Sequence, residues 1–299
     1  MKKILSTPVA RAMANKKGID ITQVMGTGPN GRILKQDILD FKNNGNIKQE
    51  TRQENHVSSI ERKSVMEDKR IKPSPMRKGI AKALKNSWNN VAYVNLVNEI
   101  DATELWDFRS KIKEDVLNET GTKITFLPFV VMATIKALKK YPIFNAKYDP
   151  QTEEIVYQKD INMGIAVDTE SGLMVPVIKN ADQLSLVEIA QEIERLAKAC
   201  KDGSIKPSEL RGSTYTITNY GSVDALYGVP VINHPNLAIT GVGAIKDKVY
   251  FKDGNVVPGK VLHLTTAGDH QWIDGADIGR FAYDIRLSLE KPAMLLAVY

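Results

Sequence analysis

The chain has 299 residues, 42% of them apolar and 25% charged, an ordinary composition with room for one sizeable core and a smaller companion. Its formal charge of +6 is interspersed with acidic residues along most of the chain, which argues against nucleic acid as a partner. A single cysteine, Cys200, excludes an intrachain disulfide and a paired-cysteine metal or redox site, no apolar run is long enough to span a membrane, and Ser6-Thr7-Pro8 stands where a signal peptide would need apolar residues, so a cytoplasmic protein without a metal is expected.

Residues 6–41 predict a miniature helical domain. Thr7 caps a helix with Pro8 at its first position, Val9, Met13 and nearby alanines form its apolar face, and Gly18 ends it. A second helix over 35–41 carries Ile38 and Phe41 on one side. The loop between them, Gly26-Thr27-Gly28-Pro29-Asn30-Gly31-Arg32, is not a phosphate loop, because Pro29 lacks an N–H donor and no Gly-Lys-Ser/Thr follows. Seven basic residues against three acidic ones up to position 41 make this domain locally positive, with Arg11 on the first helix and Arg32 at the loop exit. Two readings stay open on charge alone: a docking face for an acidic protein surface, or ordinary solvated charge. Residues 42–70 are polar and aperiodic and read as a solvated tether, in which His56 has no assigned role.

From position 71 the apolar content returns. Met76, Ile80, Ala83 and Leu84 suggest a helix, 93–100 a strand, and Asp101 with Glu104 a capping-box start for a helix carrying Leu105, Phe108, Ile112 and Val116 up to Gly121. A buried helix follows over 126–140. Strands are expected over 154–158, 163–168 and 173–178, the last two joined by a tight turn at 169–172, and Ser185 with Glu188 starts a long helix that Gly203 ends. Thr214 to Thr218 alternates as a strand, and strands over 238–250 and 256–266 flank a hairpin at Asp253-Gly254. Strands mixed with helices argue for a sheet with helices packed on it, an α/β sandwich over residues 71–299.

The last strand delivers the chain to Gly268-Asp269-His270-Gln271-Trp272-Ile273-Asp274-Gly275, before a helix over 276–289. Taken alone, His270 is either a strand-end histidine satisfied by its neighbours or a base, since imidazole with a pKa near ~6.5 suits proton removal near neutrality. Asp274 is placed to orient this loop or to cap the helix. His234 and His263 read as core or turn histidines, and Cys200 as a small buried residue.

Two sets of motifs carry a resemblance. Pro8-Val9-Ala10-Arg11, Gly18-Ile19-Asp20, the loop from Gly26 to Arg32 with Ile33, and Asp37-Ile38 resemble the peripheral subunit-binding domain of 2-oxo acid dehydrogenase complexes. Phe126-Leu127-Pro128-Phe129, Gly164-Ile165-Ala166-Val167-Asp168, the run from Gly172 to Ile178, Thr216-Ile217-Thr218-Asn219 and Asp269-His270 with Asp274-Gly275 resemble the acyltransferase core of the same family. Within it, Thr216-Ile217-Thr218-Asn219-Tyr220-Gly221 and Pro230-Val231-Ile232-Asn233-His234-Pro235 look most like the bacterial pyruvate dehydrogenase branch. Three positions depart from the pattern: Gln271 replaces the usual arginine, Ala92-Tyr93 stands for Pro-His, and Asp224-Ala225 for a glycine pair. The lipoyl domain that normally precedes the binding domain is not among these residues.

The resemblance implies a chloramphenicol-acetyltransferase-like sandwich over 71–299, preceded by a peripheral subunit-binding domain over 1–41 and a linker over 42–70. It implies transfer of an acetyl group from a dihydrolipoyl-lysine thioester to coenzyme A, with the lipoyl group on another chain or a missing domain. His270 would act as base, Thr218, otherwise a plain strand-edge threonine, as oxyanion donor, and Asp274 as an orienting residue. Arg11 and Arg32 would meet dihydrolipoamide dehydrogenase or the decarboxylase component. The core would be a homotrimer with sites between subunits, its apolar ending over 292–298 buried between chains or within its own subunit, with possible growth into a larger cage. The alternative is a catalytically weakened scaffold that assembles the complex, suggested by Gln271 and the missing lipoyl domain.

Overall fold

The structure, a computed structural model, describes residues 4–43 and 68–297 and divides into two compact units at Arg70 and Ile71. Most of the expected tether, His56 within it, and Val298 lie outside the described residues.

The first unit holds two helices, α1 (Pro8–Lys17) and α2 (Lys35–Asn43). Thr7 Oγ1 accepts from the Ala10 N–H at 3.2 Å, Pro8 opens the helix, and Gly18 closes it with φ 64°. The packed face differs from the expected one: Ala10, Ala14, Val24, Ile33 and Ile38 are buried, whereas Val9 is 58% and Phe41 39% exposed. With so few atoms to bury, the backbones approach through the alanines. The intervening loop is held by Asp37, whose carboxylate accepts from Leu34 N–H at 2.7 Å, Thr27 N–H at 3.1 Å and Thr27 Oγ1 at 2.6 Å. These bonds, the Leu34 N–H first, hold the Asp37 carboxyl below the usual carboxylate range.

The second unit runs α3 (Pro75–Asn90), β1 (Tyr93–Asp101), α4 (Thr103–Thr120), α5 (Leu127–Lys140), β2 (Ala146–Asp149), β3 (Glu154–Tyr157), β4 (Met163–Ile165), β5 (Val177–Ile178), α6 (Leu186–Lys201), β6 (Tyr215–Asn219), β7 (Ala238–Val242), β8 (Lys246–Lys252), β9 (Asn255–Asp269), α7 (Gly275–Glu290) and α8 (Pro292–Ala297). Seven strands form one mixed sheet in the order β1-β9-β7-β6-β4-β5, with β8 on β9, while β2 and β3 make a separate ribbon. Strands β4, β6 and β7 run parallel and the other pairs antiparallel. The apolar stretch of α5 supplies Phe129 to Ile135 to the core, and Phe281 of α7 stacks on Phe144 at 4.0 Å beside the buried Tyr215. Leu295 of α8 is buried within the subunit and Met294 is 57% exposed. Among the described residues, no helix is long and apolar enough to cross a membrane.

Several local expectations change. The strand expected over 238–250 is two, because Leu226 crosses it at Gly243: a Cβ there would sit 1.8 Å from the Leu226 carbonyl oxygen, and Ala244 N–H bonds Ala225. The strands expected over 163–168 and 173–178 shrink to β4 and β5, with a single bridge between Val167 and Met174 beyond them. Asp101 does not cap with Glu104; its carboxylate takes the Thr103 N–H at 3.1 Å and Oγ1 at 2.5 Å, leaving Ala102 as the first cap. The apolar side of α3 is not core, since Met76, Leu84 and Trp88 are 45%, 43% and 54% exposed.

Candidate active site

His270 follows the longest strand. Its N–H bonds the Ala92 carbonyl at 2.7 Å, so the chain leaves β9 alongside the start of β1, and its side chain is exposed. A Cβ at Gly275 would come within 3.9 Å of His270 Nε2, which places the ring over the first residue of α7. The turn that carries it is anchored on both sides. Trp272 stacks on Tyr148 at 4.1 Å, Ile273 is buried, and both their N–H groups bond the Asp269 carbonyl.

Asp274 occupies the N-cap position of α7, with extended backbone and its carbonyl accepting from Asp277 and Ile278. Its carboxylate makes no capping bond and is exposed. Asp269, in contrast, is 3% exposed. Its carboxylate accepts from Ala92 N–H at 3.1 Å, Gln271 N–H at 3.2 Å and Gln271 Nε2 at 3.1 Å. The same Gln271 amide donates to the Asn90 carbonyl at 2.8 Å. The sequence alone gives Asp269 no role and marks Gln271 as a departure that could weaken catalysis; a charged residue next to the histidine on a buried strand is the available signal for Asp269. Gln271 here keeps a donor on the carboxylate where an arginine would do the same with charge.

Thr218 stands near the end of β6, half-buried, on the wall of a cavity of about 450 Å³. Leu84, Leu173, Val175, Ile232 and Ile239 make that wall mostly apolar, and Thr216 and Tyr220 join Thr218 on it. A mostly apolar cavity of this size with a few polar groups on its wall suits a small ligand. At the other departures, Asp224 takes φ 65° with an ion pair to Lys246, the left-handed backbone that a glycine would meet without strain. Tyr93 stacks on Trp88 at 4.9 Å and accepts from the Ile232 N–H.

Thr218 and His270 do not meet within the chain. Thr218 pairs with Gly241 on β7 and Gly241 with Thr265 on β9, five residues before His270. Two strand spacings across and five residues along put their Cα atoms on the order of 20 Å apart.

In the first unit, Arg11 is exposed and its guanidinium donates to Ser6 Oγ at 3.0 and 3.3 Å. Arg32 is exposed at the exit of the loop, where its carbonyl accepts from Gly28.

Residues 65–297 match the family model described as 2-oxoacid dehydrogenases acyltransferase (catalytic domain), and residues 4–39 the e3 binding domain. Two relatives carry the name dihydrolipoyllysine-residue acetyltransferase component of pyruvate dehydrogenase complex. The one from Staphylococcus epidermidis is 41% identical over 99% of this chain and 71% of its own, and the one from Bacillus subtilis 40% identical over 99% and 68%. Among solved structures, Azotobacter vinelandii dihydrolipoamide acetyltransferase matches with TM-score 0.73 and 32% identity over 77% of this chain and 94% of its own. The probable dihydrolipoamide acetyltransferase of Listeria monocytogenes matches with TM-score 0.72 and 32% identity over 75% and 95%.

Proposed function

The chain belongs to the 2-oxoacid dehydrogenase acyltransferase family, and we propose that it moves an acetyl group from dihydrolipoyl-lysine to coenzyme A at a site completed by His270 of one subunit and Thr218 of another. The observation that carries the two-subunit reading is the strand register that separates these two residues within one chain. A trimer is the arrangement the family implies, and the apolar side chains left exposed on α3 suit burial against a neighbour.

The Azotobacter vinelandii structure concerns a serine, a histidine and an asparagine in the catalytic mechanism of that enzyme, and the same spacings of 52 and four positions separate Thr218, His270 and Asp274. Threonine keeps the hydroxyl of serine. Aspartate for asparagine keeps the oxygen acceptor at the start of α7 and loses the amide donor.

A thiol with pKa near ~8.5 is mostly protonated at neutral pH, so the reaction needs a base. His270 takes the coenzyme A thiol proton as sulfur attacks the thioester carbonyl. The tetrahedral oxyanion accepts a hydrogen bond from the Thr218 hydroxyl, and its collapse expels the dihydrolipoyl sulfur, which receives the proton from His270. Coenzyme A is a substrate in this scheme, and the lipoyl arm comes from another chain or from a segment outside this sequence. The small domain recruits dihydrolipoamide dehydrogenase or the decarboxylase component through its basic face, Arg11 and Arg32 included. A bacterial cytoplasm supplies these partners, and growth beyond a trimer into a cage is part of the same reading.

The test is acetyl transfer from free acetyl-dihydrolipoamide to coenzyme A. His270→Ala lowers kcat by about 10²–10⁴ and Thr218→Val by about 10²–10³. Refolding the two variants together restores turnover, because mixed assemblies contain sites with both intact residues. Undiminished activity of His270→Ala overturns the scheme, and efficient turnover by the unaltered chain excludes the weakened-scaffold alternative.

A further inference from the structure

We infer that Tyr220 sets the upper size of the acyl group this chain accepts, by standing as a fixed wall beside the Thr218 hydroxyl. The inference rests on Thr218 as the oxyanion donor. Register partners on neighbouring strands project from the same sheet face about 4.8 Å apart. Thr218's partner on β7 is Gly241, which has no side chain. The Tyr220 ring fills the space a Cβ at Gly241 would take, with Cε1 2.5 Å and Oη 2.9 Å from that position. An aromatic ring therefore occupies the column next to Thr218, and both residues line the same cavity.

The residue is held at its hydroxyl and at its backbone. Its hydroxyl shares a hydrogen bond of 2.9 Å with Thr265 Oγ1, one strand further on, where Gly241 pairs with Thr265. Gly228 lies beside the same ring edge, where a Cβ would be 3.4 Å from Cε1. The Tyr220 N–H bonds the Val242 carbonyl at 3.0 Å, tying its own backbone to β7. A ring so placed cannot swing aside to admit a larger group without breaking a hydrogen bond and finding new space.

The opposite neighbour of Thr218 is Ala166, whose N–H bonds the Ile217 carbonyl at 2.9 Å and whose side chain is a single methyl. A carbonyl held by Thr218 thus has its acyl substituent between a methyl and a fixed aromatic ring. Acetyl needs only one carbon there. A branched group brings two more carbons against the ring, and each extra methylene in a shaped apolar pocket changes discrimination by about 10–200-fold.

The test compares kcat/KM for free acetyl-, propionyl- and isobutyryl-dihydrolipoamide in the unaltered full chain and in Tyr220→Phe, Tyr220→Leu and Tyr220→Ala. Tyr220→Phe keeps the ring and is expected to hold the isobutyryl-to-acetyl ratio within about threefold. Tyr220→Ala is expected to raise that ratio by about tenfold or more, with Tyr220→Leu between them; should the alanine variant not fold, leucine carries the comparison. A ratio unchanged within twofold in a folded Tyr220→Leu or Tyr220→Ala protein that still transfers acetyl overturns the inference alone, as does an equal shift in Tyr220→Phe, which would assign the effect to the hydroxyl. No transfer of any acyl group by the unaltered chain overturns the acyltransfer reading on which it rests.

Discussion

Replacing Gln271 with alanine removes one amide group that ties the turn carrying His270 to two other segments. Gln271 Nε2 donates to Asp269 Oδ1 at 3.1 Å and to the Asn90 carbonyl at 2.8 Å, linking the end of β9 to the exit of α3. A hydrogen bond to a charged acceptor contributes about 1.5–3 kcal/mol and one to a neutral carbonyl about 0.5–1.5 kcal/mol. Gln271 is exposed, so the lower ends apply and the sum is about 2 kcal/mol. Asp269 keeps the N–H groups of Ala92 and Gln271, which prevents collapse of the strand end. The unit should therefore stay folded, with Tm lowered by about 4–8 °C.

If the whole loss loosened His270 in the transition state, kcat would fall by up to about 30-fold. KM for both thiols should change little, because Gln271 does not line the cavity that contains Thr218. Gln271→Arg offers two parallel donors to the same carboxylate and should retain turnover while raising Tm. Steady-state acetyl transfer together with calorimetry reads both quantities. A Gln271→Ala protein with kcat within twofold and Tm within about one degree of the unaltered chain, where about 4–8 °C is expected, would refute the reasoning.

Asp37→Ala should unfold the small domain while leaving acetyl transfer to free substrates intact, because it removes the charged acceptor of the Leu34 N–H, the Thr27 N–H and the Thr27 hydroxyl, bonds of about 1.5 kcal/mol each at this exposure, in a unit with five buried apolar residues; amide exchange at Leu34 and Thr27 reports it, and retained protection counts against it. The Asp37 carboxyl lies below its ordinary 3.8 when folded, so its contribution is complete above that value and is lost as pH falls through the lower folded one, which binding of the partner enzyme at descending pH would follow. Burial pushes the Cys200 thiol up, so thiol reagents at neutral pH should label it slowly until the chain is unfolded, and prompt stoichiometric labelling of the native protein would contradict this. Ser185→Ala breaks the reciprocal cap with Glu188 at the start of α6 and should lower the calorimetric Tm by about 2–4 °C without altering kcat.

Local chemistry makes much of this protein legible from its sequence. Thr7 with Pro8, Gly18, Gly121, and Ser185 with Glu188 mark helix ends because each supplies or satisfies backbone groups within a few residues. Asp253 and Gly254 mark the hairpin because both take positive φ, and the 14 residues of α5 are apolar enough to announce burial. The motifs around Thr218 and His270 likewise need no coordinates to be noticed, and the mixed α/β class follows from the order of elements. What only the tertiary structure decides depends on residues far apart in the chain. Leu226 crossing at Gly243 splits one expected strand into two, and the apolar side chains Met76, Leu84 and Trp88 of α3 stay partly exposed rather than joining the core. Asp269 finds its partner Ala92 at a separation of 177 positions, and Gln271 reaches Asn90 at 181. Sheet register alone separates Thr218 from His270 within the subunit, since no local pattern encodes which strands lie between them or how far along each one the pairing runs.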